Sequence, residues 1–501
     1  MKRIVLLLCL AFVAACTQQN LTRVRVAQGE ARGMLHDGVR IFRSLPYAAA
    51  PVGALRFRAP QPALAWASVR DATTPGPLCT QNASGAEWGP WTGNFAPHGP
   101  ISEDCLTLSV WTPARSAQER LPVMFWIPGG GFTDGGEAMA VYDGEALARR
   151  GIIVVSINYR LGAFGLLAHP ALEREADGAS GNQALRDTLA ALHWVSANIE
   201  AFGGDLRRVT IAGQSAGAAL AYALLDAPQA SGLFSGAILQ SFPPGSETLP
   251  DRAAAEANGV RSAAEVGATT IEELRALPPA RLLDMHDGLN LHVDDVLIAD
   301  QTFATPPYLN DVPIMAGITY DELSFLQPDL EGHNHDVVRY GAAFAALYPA
   351  RDTQSGRAAY LRSHREAALV GLERWARATQ GGAPLYLYLW THPMPGPDAA
   401  TYGAFHSSEV PYMFGSLAAF AERALTEQDQ VIAEQMLNRW ANFVKTGDPN
   451  GGGGAAWPRG DVETPVFMEL GDHFAPLRDP LPAAARAFWN AQYDAEGAYR
   501  F

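Results

Sequence analysis

Five residues, Gly213-Gln214-Ser215-Ala216-Gly217, constrain this chain more than any others because of what flanks them. Ahead of them runs Val209-Thr-Ile-Ala212, short and rich in β-branched residues, which reads as a buried strand. Behind them runs Ala216-Gly-Ala-Ala-Leu-Ala-Tyr-Ala-Leu-Leu225, rich in strong helix formers. A strand that passes at once into a helix through G-x-S-x-G must bend sharply. The glycines permit that bend and lift the serine hydroxyl clear of the sheet. In a chain with 48 glycines the pentapeptide alone says little, and its strand–turn–helix setting carries the signal. It points to an activated serine and so to a serine hydrolase.

The rest of the chain supplies a matching frame. Buried strands are predicted at Leu121–Ile127, Ile152–Asn158, Val209–Ala212, Gly236–Gln240, Pro313–Gly317 and Leu385–Trp390. Between them lie helical stretches, the clearest being Gln183–Ile199, where Leu185, Leu189, Leu192, Val195 and Ile199 share one face. Short apolar strands alternating with helices imply an α/β fold with a mostly parallel sheet covered on both faces. Glu103–Trp111 alternates instead, which predicts a half-buried strand at the antiparallel margin of that sheet. The Ala-rich stretches 243–307 and 327–377 read as helical insertions above the carboxyl edge, shaping a substrate entrance.

Serine chemistry needs a base, and the base needs a carboxylate to fix its tautomer. In this fold they follow the serine in the order acid, then histidine. Pro313–Gly317 leads into Ile318-Thr-Tyr-Asp-Glu-Leu323, so Asp321 and Glu322 both qualify as the acid. Of twelve histidines, His392 and His406 both follow the strand Leu385–Trp390 and satisfy the order. Trp126-Ile-Pro-Gly-Gly-Gly-Phe132 follows an apolar strand and precedes the serine turn, as a loop does whose N–H groups receive a developing oxyanion.

The amino terminus reads as an export signal: Lys2 and Arg3, then the apolar stretch Ile4–Val13, too short to span a bilayer. Val13-Ala14-Ala15-Cys16 resembles a bacterial lipobox, giving a signal peptide over 1–15, lipidation at Cys16 and a tether over 16–23. Thr17 favours the outer membrane, and the remaining 24–501 reads as one soluble unit anchored to a membrane by lipid only. A formal net charge of -15 argues against nucleic acid as a partner. Two further cysteines, Cys79 and Cys105, form an even pair in an exported chain, which points to a disulfide, with two buried free thiols as the alternative. His333 and His335 have no recognised ligand spacing, so no metal or other cofactor is expected.

Taken in order, further segments spell a family. Phe42-Arg-Ser-Leu-Pro-Tyr-Ala48, Pro51-Val-Gly-Ala-Leu-Arg-Phe57 and Ser102-Glu-Asp-Cys-Leu-Thr-Leu-Ser-Val-Trp111 resemble the amino-terminal signatures of the type-B carboxylesterases. Asn158-Tyr-Arg-Leu-Gly162, Ala201-Phe-Gly-Gly-Asp205, Trp440-Ala-Asn-Phe-Val-Lys-Thr-Gly-Asp-Pro-Asn450 and Trp457-Pro458 continue the match. The resemblance implies an α/β-hydrolase fold and hydrolysis of small-molecule carboxylic esters. It implies Ser215 as nucleophile, Glu322 as acid, His406 as base, and Gly130, Gly131 and Ala216 as oxyanion donors. It pairs Cys79 with Cys105 and sets Trp88 and Trp91 in the loop they close, at the entrance. Phe132, Phe242 and Phe414 are candidates for apolar walls. The chain departs from the family at Gln214, where glutamate is common, and at Pro128, a frequent histidine. An amide, carbamate or toxin-ester hydrolase is the rival reading within hydrolases, and a non-catalytic binding protein the rival outside them.

Overall fold

The computed structural model describes residues 21–82, 87–175, 180–243, 248–285, 288–299, 308–460 and 462–496. The export signal, Cys16 and most of the tether lie outside these. Among the described residues, no helix is long and apolar enough to cross a membrane.

Among the described residues, eleven strands form the main sheet: β1 (Met34–His36), β2 (Val39–Pro46), β3 (Thr107–Thr112), β4 (Leu121–Ile127), β5 (Ile153–Ile157), β6 (Gly204–Gln214), β7 (Gly236–Gln240), β8 (Ile314–Thr319), β9 (Leu385–Trp390), β10 (Phe467–Leu470) and β11 (Ala475–Leu477). Their spatial order is β11-β10-β9-β8-β7-β6-β4-β5-β3-β2-β1. The run from β10 to β5 is parallel, whereas β1, β2, β3 and β11 pair antiparallel with their neighbours.

The sheet packs apolar residues on both faces, most plainly at β4, which is apolar at every position. Val123, Phe125 and Ile127 of β4 point into one core, whereas Met124 and Trp126 point into the other. The first core is covered by α1 (Gln183–Asn198) and α2 (Ala216–Asp226), whose Leu185, Leu192 and Leu220 are fully buried. Of the insertion helices, α3 (Arg252–Glu265) packs Ala263 into a smaller core with Phe57, Phe164 and Leu282. The pair α4 (Leu330–Leu347) and α5 (Thr353–Ala378) joins α1 and α2 on the first face, together with the terminal α7 (Ala483–Glu496). The opposite core belongs to α6 (Glu427–Thr446), which buries Ile432, Met436 and Trp440.

Two expectations change. The insertion 327–377 was expected to stand above the sheet edge, but the second half of α5 lies in the face core, with Leu369, Leu372 and Trp375 buried. Strand β3 was expected to be half-buried, yet all six residues are buried. Its polar positions are satisfied inside: Thr112 Oγ1 donates to the Phe202 carbonyl at 2.9 Å, and Ser109 Oγ accepts from the Ser44 N–H at 3.4 Å. An alternating pattern therefore marks a strand between two cores here, with small hydroxyls bonded to backbone instead of water.

Candidate active site

Strand β6 ends at Gln214 and α2 starts at Ala216, so Ser215 makes the turn by itself. Its φ of 57° and ψ of -127° lie where a side chain is strained, at a cost of about 1–3 kcal/mol. The turn is held by the Ser215 N–H, which donates to the Gln240 carbonyl on β7 at 2.8 Å. Both flanking glycines are required by contact. A β-carbon on Gly213 would lie 2.3 Å from the Gly217 carbonyl oxygen, and one on Gly217 would lie 2.0 Å from that of Ile127.

Glu322 sits just past β8, is 7% exposed, and directs Oε1 at His406 Nδ1. Its Oε2 accepts from Thr319 N–H at 2.7 Å, Thr319 Oγ1 at 2.8 Å and Ser241 Oγ at 3.2 Å. Burial pushes this carboxyl up, but the imidazole and the Thr319 donors outweigh it and hold Glu322 below the usual range. Burial likewise lowers His406, and the Glu322 carboxylate outweighs it, so the imidazole lies above its ordinary value. Asp321 points away and accepts from the Ala404 N–H at 3.0 Å. His392 is held between Asp429 at 2.9 Å and Asp472 at 2.8 Å and does not line the cavity at Ser215. The acid and histidine that order alone left open are thus separated by where their neighbours let them point.

The far nitrogen of the same ring has an unexpected partner. Gln214 Nε2 lies 3.0 Å from His406 Nε2. With Nδ1–H directed at Glu322, Nε2 carries the lone pair and accepts from the Gln214 amide. No hydrogen bond joins Ser215 Oγ to the ring in this structure. A second buried glutamate stands three residues beyond. Glu409 Oε1 accepts from Gln240 Nε2 at 2.9 Å, and Trp440 Nε1 donates to Gln240 Oε1 at 3.2 Å. Glu409 Oε2 has no partner among the described residues, and burial, only partly offset by Gln240, pushes this carboxyl up to about 7.

Above Ser215 lies a cavity of about 290 Å³. The glycine loop forms one side, with φ of 119° at Gly130 and 58° at Gly131, conformations that suit glycine. Among the described residues, the Gly130 and Gly131 N–H groups donate to no acceptor. Ala216 is buried at the start of α2. The Cys79–Cys105 disulfide closes the loop that carries Trp88 and Trp91. Those two rings stack at 5.2 Å, and Phe325 lies 4.9 Å from Trp91 and 5.8 Å from His406. Trp91 Nε1 also donates to Ser407 Oγ at 2.8 Å, tying this wall to the histidine loop.

The remaining aromatic candidates lie elsewhere. Phe132 faces a neighbouring cavity of about 110 Å³ beside Leu282 and Met285. Phe242 packs towards Tyr222, and Phe414 is fully buried against Trp126 and Tyr142, so neither lines the cavity at Ser215. Sequence reasoning passed over Phe325, Asp134, Ser241 and Glu409. Asp134 had a usable signal, as an acid three residues past Gly131, and Glu409 stands in the same segment as His406. Among the described residues, no group of three His, Cys, Asp or Glu side chains is placed to hold a metal.

The doubly covered sheet and the strained serine at its switch into a helix define the α/β-hydrolase class. Within that class the chain belongs to the Carboxylesterase family, which matches residues 20–489, and it is a carboxylic-ester hydrolase. It is 35% identical to fumonisin B1 esterase of Sphingopyxis macrogoltabida, covering 89% of this chain and 86% of that protein. It is 31% identical to para-nitrobenzyl esterase of Bacillus subtilis (strain 168), covering 91% and 96% respectively. A crystal structure of the Geobacillus stearothermophilus carboxylesterase superposes with a TM-score of 0.79 at 31% identity, covering 93% of this chain and 100% of that one.

Proposed function

We propose that this protein hydrolyses esters through a covalent acyl-enzyme, with Ser215 as nucleophile, His406 as base and Glu322 as the carboxylate that orients it. The observation that carries this reading is the convergence of Ser215 and His406 on one cavity beside the glycine loop, with Glu322 behind the ring. As substrate binds, His406 Nε2 exchanges the Gln214 amide for the Ser215 hydroxyl. Ser215 Oγ then attacks the ester carbonyl carbon while Nε2 takes its proton. The carbonyl oxygen gains negative charge and is received by the N–H groups of Gly130, Gly131 and Ala216, each worth roughly 3 kcal/mol to the transition state. The bond to the alkoxy group breaks as His406 hands its proton to the departing alcohol. Water, deprotonated by His406, then attacks the acyl carbon and frees the acid and Ser215.

Hydrolysis of p-nitrophenyl esters from acetyl to decanoyl by wild type and Ser215→Ala tests this. The expected loss in the variant is at least about 10⁴-fold, with the fold intact by thermal melt. Retained turnover in Ser215→Ala would overturn the assignment. A toxin ester belongs in the substrate series because a curated relative is a fumonisin B1 esterase.

A further inference from the structure

The cavity at Ser215 carries a charge that the hydrolytic steps do not use. Asp134 follows the glycine loop and lines the cavity with Trp88, Trp91, Phe325 and Tyr142. Among the described residues, no lysine or arginine lines it. The position is set by the turn: the Asp134 N–H donates to the Gly130 carbonyl at 3.1 Å. The carboxylate also rests on the glycine itself, since a β-carbon added at Gly130 would stand 2.7 Å from Asp134 Oδ1. Among the described residues, nothing donates a hydrogen bond to this carboxylate and no cation pairs with it. Asp134 is exposed, its side chain opening onto the cavity, and the protein packed on its other side pushes its carboxyl up to about 6. At neutral pH it is therefore mostly ionised.

An unpaired negative charge against Gly130 is a liability for the reaction. The same loop must stabilise a negative oxygen, and like charges lining one cavity repel. A substrate that brings its own positive group removes this conflict and finds aromatic faces beside the carboxylate. We infer that Asp134 selects substrates, and that the esters this cavity prefers carry a cationic amino or quaternary ammonium group a few bonds from the scissile carbonyl. The inference rests on the esterase reading of Ser215, and it concerns specificity alone. Asp134 is a specificity-determining residue that touches the substrate away from the reacting atoms.

The test compares matched esters differing in one atom: a trimethylammonium group against its neutral tert-butyl isostere, placed in turn on the alcohol and on the acyl side. Wild type is expected to prefer the cationic ester of at least one pair by about tenfold or more in kcat/KM, the size of one charge-assisted contact. Asp134→Asn is expected to bring that ratio close to one, as is Asp134→Ser should the amide not fit beside Gly130. Asp134→Glu is expected to keep a cationic preference. A ratio that is the same in wild type and in both neutral variants overturns the inference, even if every ester is cleaved. Absence of cleavage of every ester in the series, cationic and neutral, would count against the esterase reading instead. Selectivity remains measurable in that case, because Ser215→Ala protein binds the cationic and neutral alcohols without turnover. Tryptophan fluorescence would then show equal affinities if Asp134 plays no part.

Discussion

Two of the carboxylates at this site, Glu322 and Asp134, stand in surroundings that differ in every respect that matters. Glu322 lies in the floor, where His406, both donors of Thr319 and the Ser241 hydroxyl all direct hydrogen bonds at it. Asp134 lies in the wall, where no described residue bonds to its carboxylate and the cavity is its open side. The floor is finished before substrate arrives, and its donors hold the charge in place without reorganising. The wall is left incomplete, so that a ligand completes it. A chain folds so as to satisfy its buried polar groups, and a group left unsatisfied at a cavity is where an outside partner gains most.

The strongest way to break this comparison is to unmake the floor. Glu322→Gln keeps the shape but offers an amide where His406 needs an anion, leaving the imidazole able to take the wrong tautomer. The expected result is a fall in kcat of about 10³–10⁴-fold with a small change in KM. A fall of less than tenfold would show that Thr319, Ser241 and the loop orient the ring without the charge.

A milder change sharpens the comparison from above the ring. In the proposed mechanism His406 would act as a base only when neutral, and its value already lies above the ordinary one, so activity should fall on the acid side at a pH above that of an ordinary histidine. Gln214→Glu replaces the donor 3.0 Å from Nε2 by an anion that favours the imidazolium. The acid limb of kcat/KM is then expected to move to higher pH by about one unit. Superimposable pH–rate profiles would show that residue 214 does not bear on the base. The Glu409 carboxylate also raises His406 and is itself pushed up to about 7, so its own titration adds to the same limb in wild type and variant alike.

The smallest effect is expected at the rim. Trp88 is 59% exposed and stacks on Trp91, which is itself bonded to Ser407. Trp88→Ala should raise KM by about two- to fivefold and leave the melting temperature within about a degree, because little buried surface is lost. A large fall in kcat would instead make the rim part of the machinery that the floor holds.

Much of the floor was legible in the chain. The turn around Ser215 is local, and both glycines around it are demanded by contacts within the same strand–turn–helix unit and the strand end beside it. The strands Leu121–Ile127, Gly236–Gln240 and Leu385–Trp390 are found with the bounds their apolar runs predict. Strand β6 extends further, from Gly204, because its ladder with β4 resumes beyond an irregularity that no local pattern marks. The wall was less legible. Phe325 and Asp134 are 191 residues apart and reach the same cavity only through the sheet order, and nothing near either one announces that neighbour. Phe414 and Phe242 fail as wall residues for the converse reason, since an aromatic ring beside a site in sequence packs inward whenever a core lies closer.

The sequence by itself determined the class of chemistry and the fold that hosts it, because a strand period, a helix period and a G-x-S-x-G turn are all written within a few residues. Family resemblance selected Glu322 over Asp321 and His406 over His392. Tertiary structure decided the rest: which side chain of each pair turns inward, that the Gln214 amide meets His406, and that Asp134 stands unpaired beside Gly130. These depend on side-chain direction and on contacts between segments far apart in the chain, and neither is fixed until the sheet has assembled.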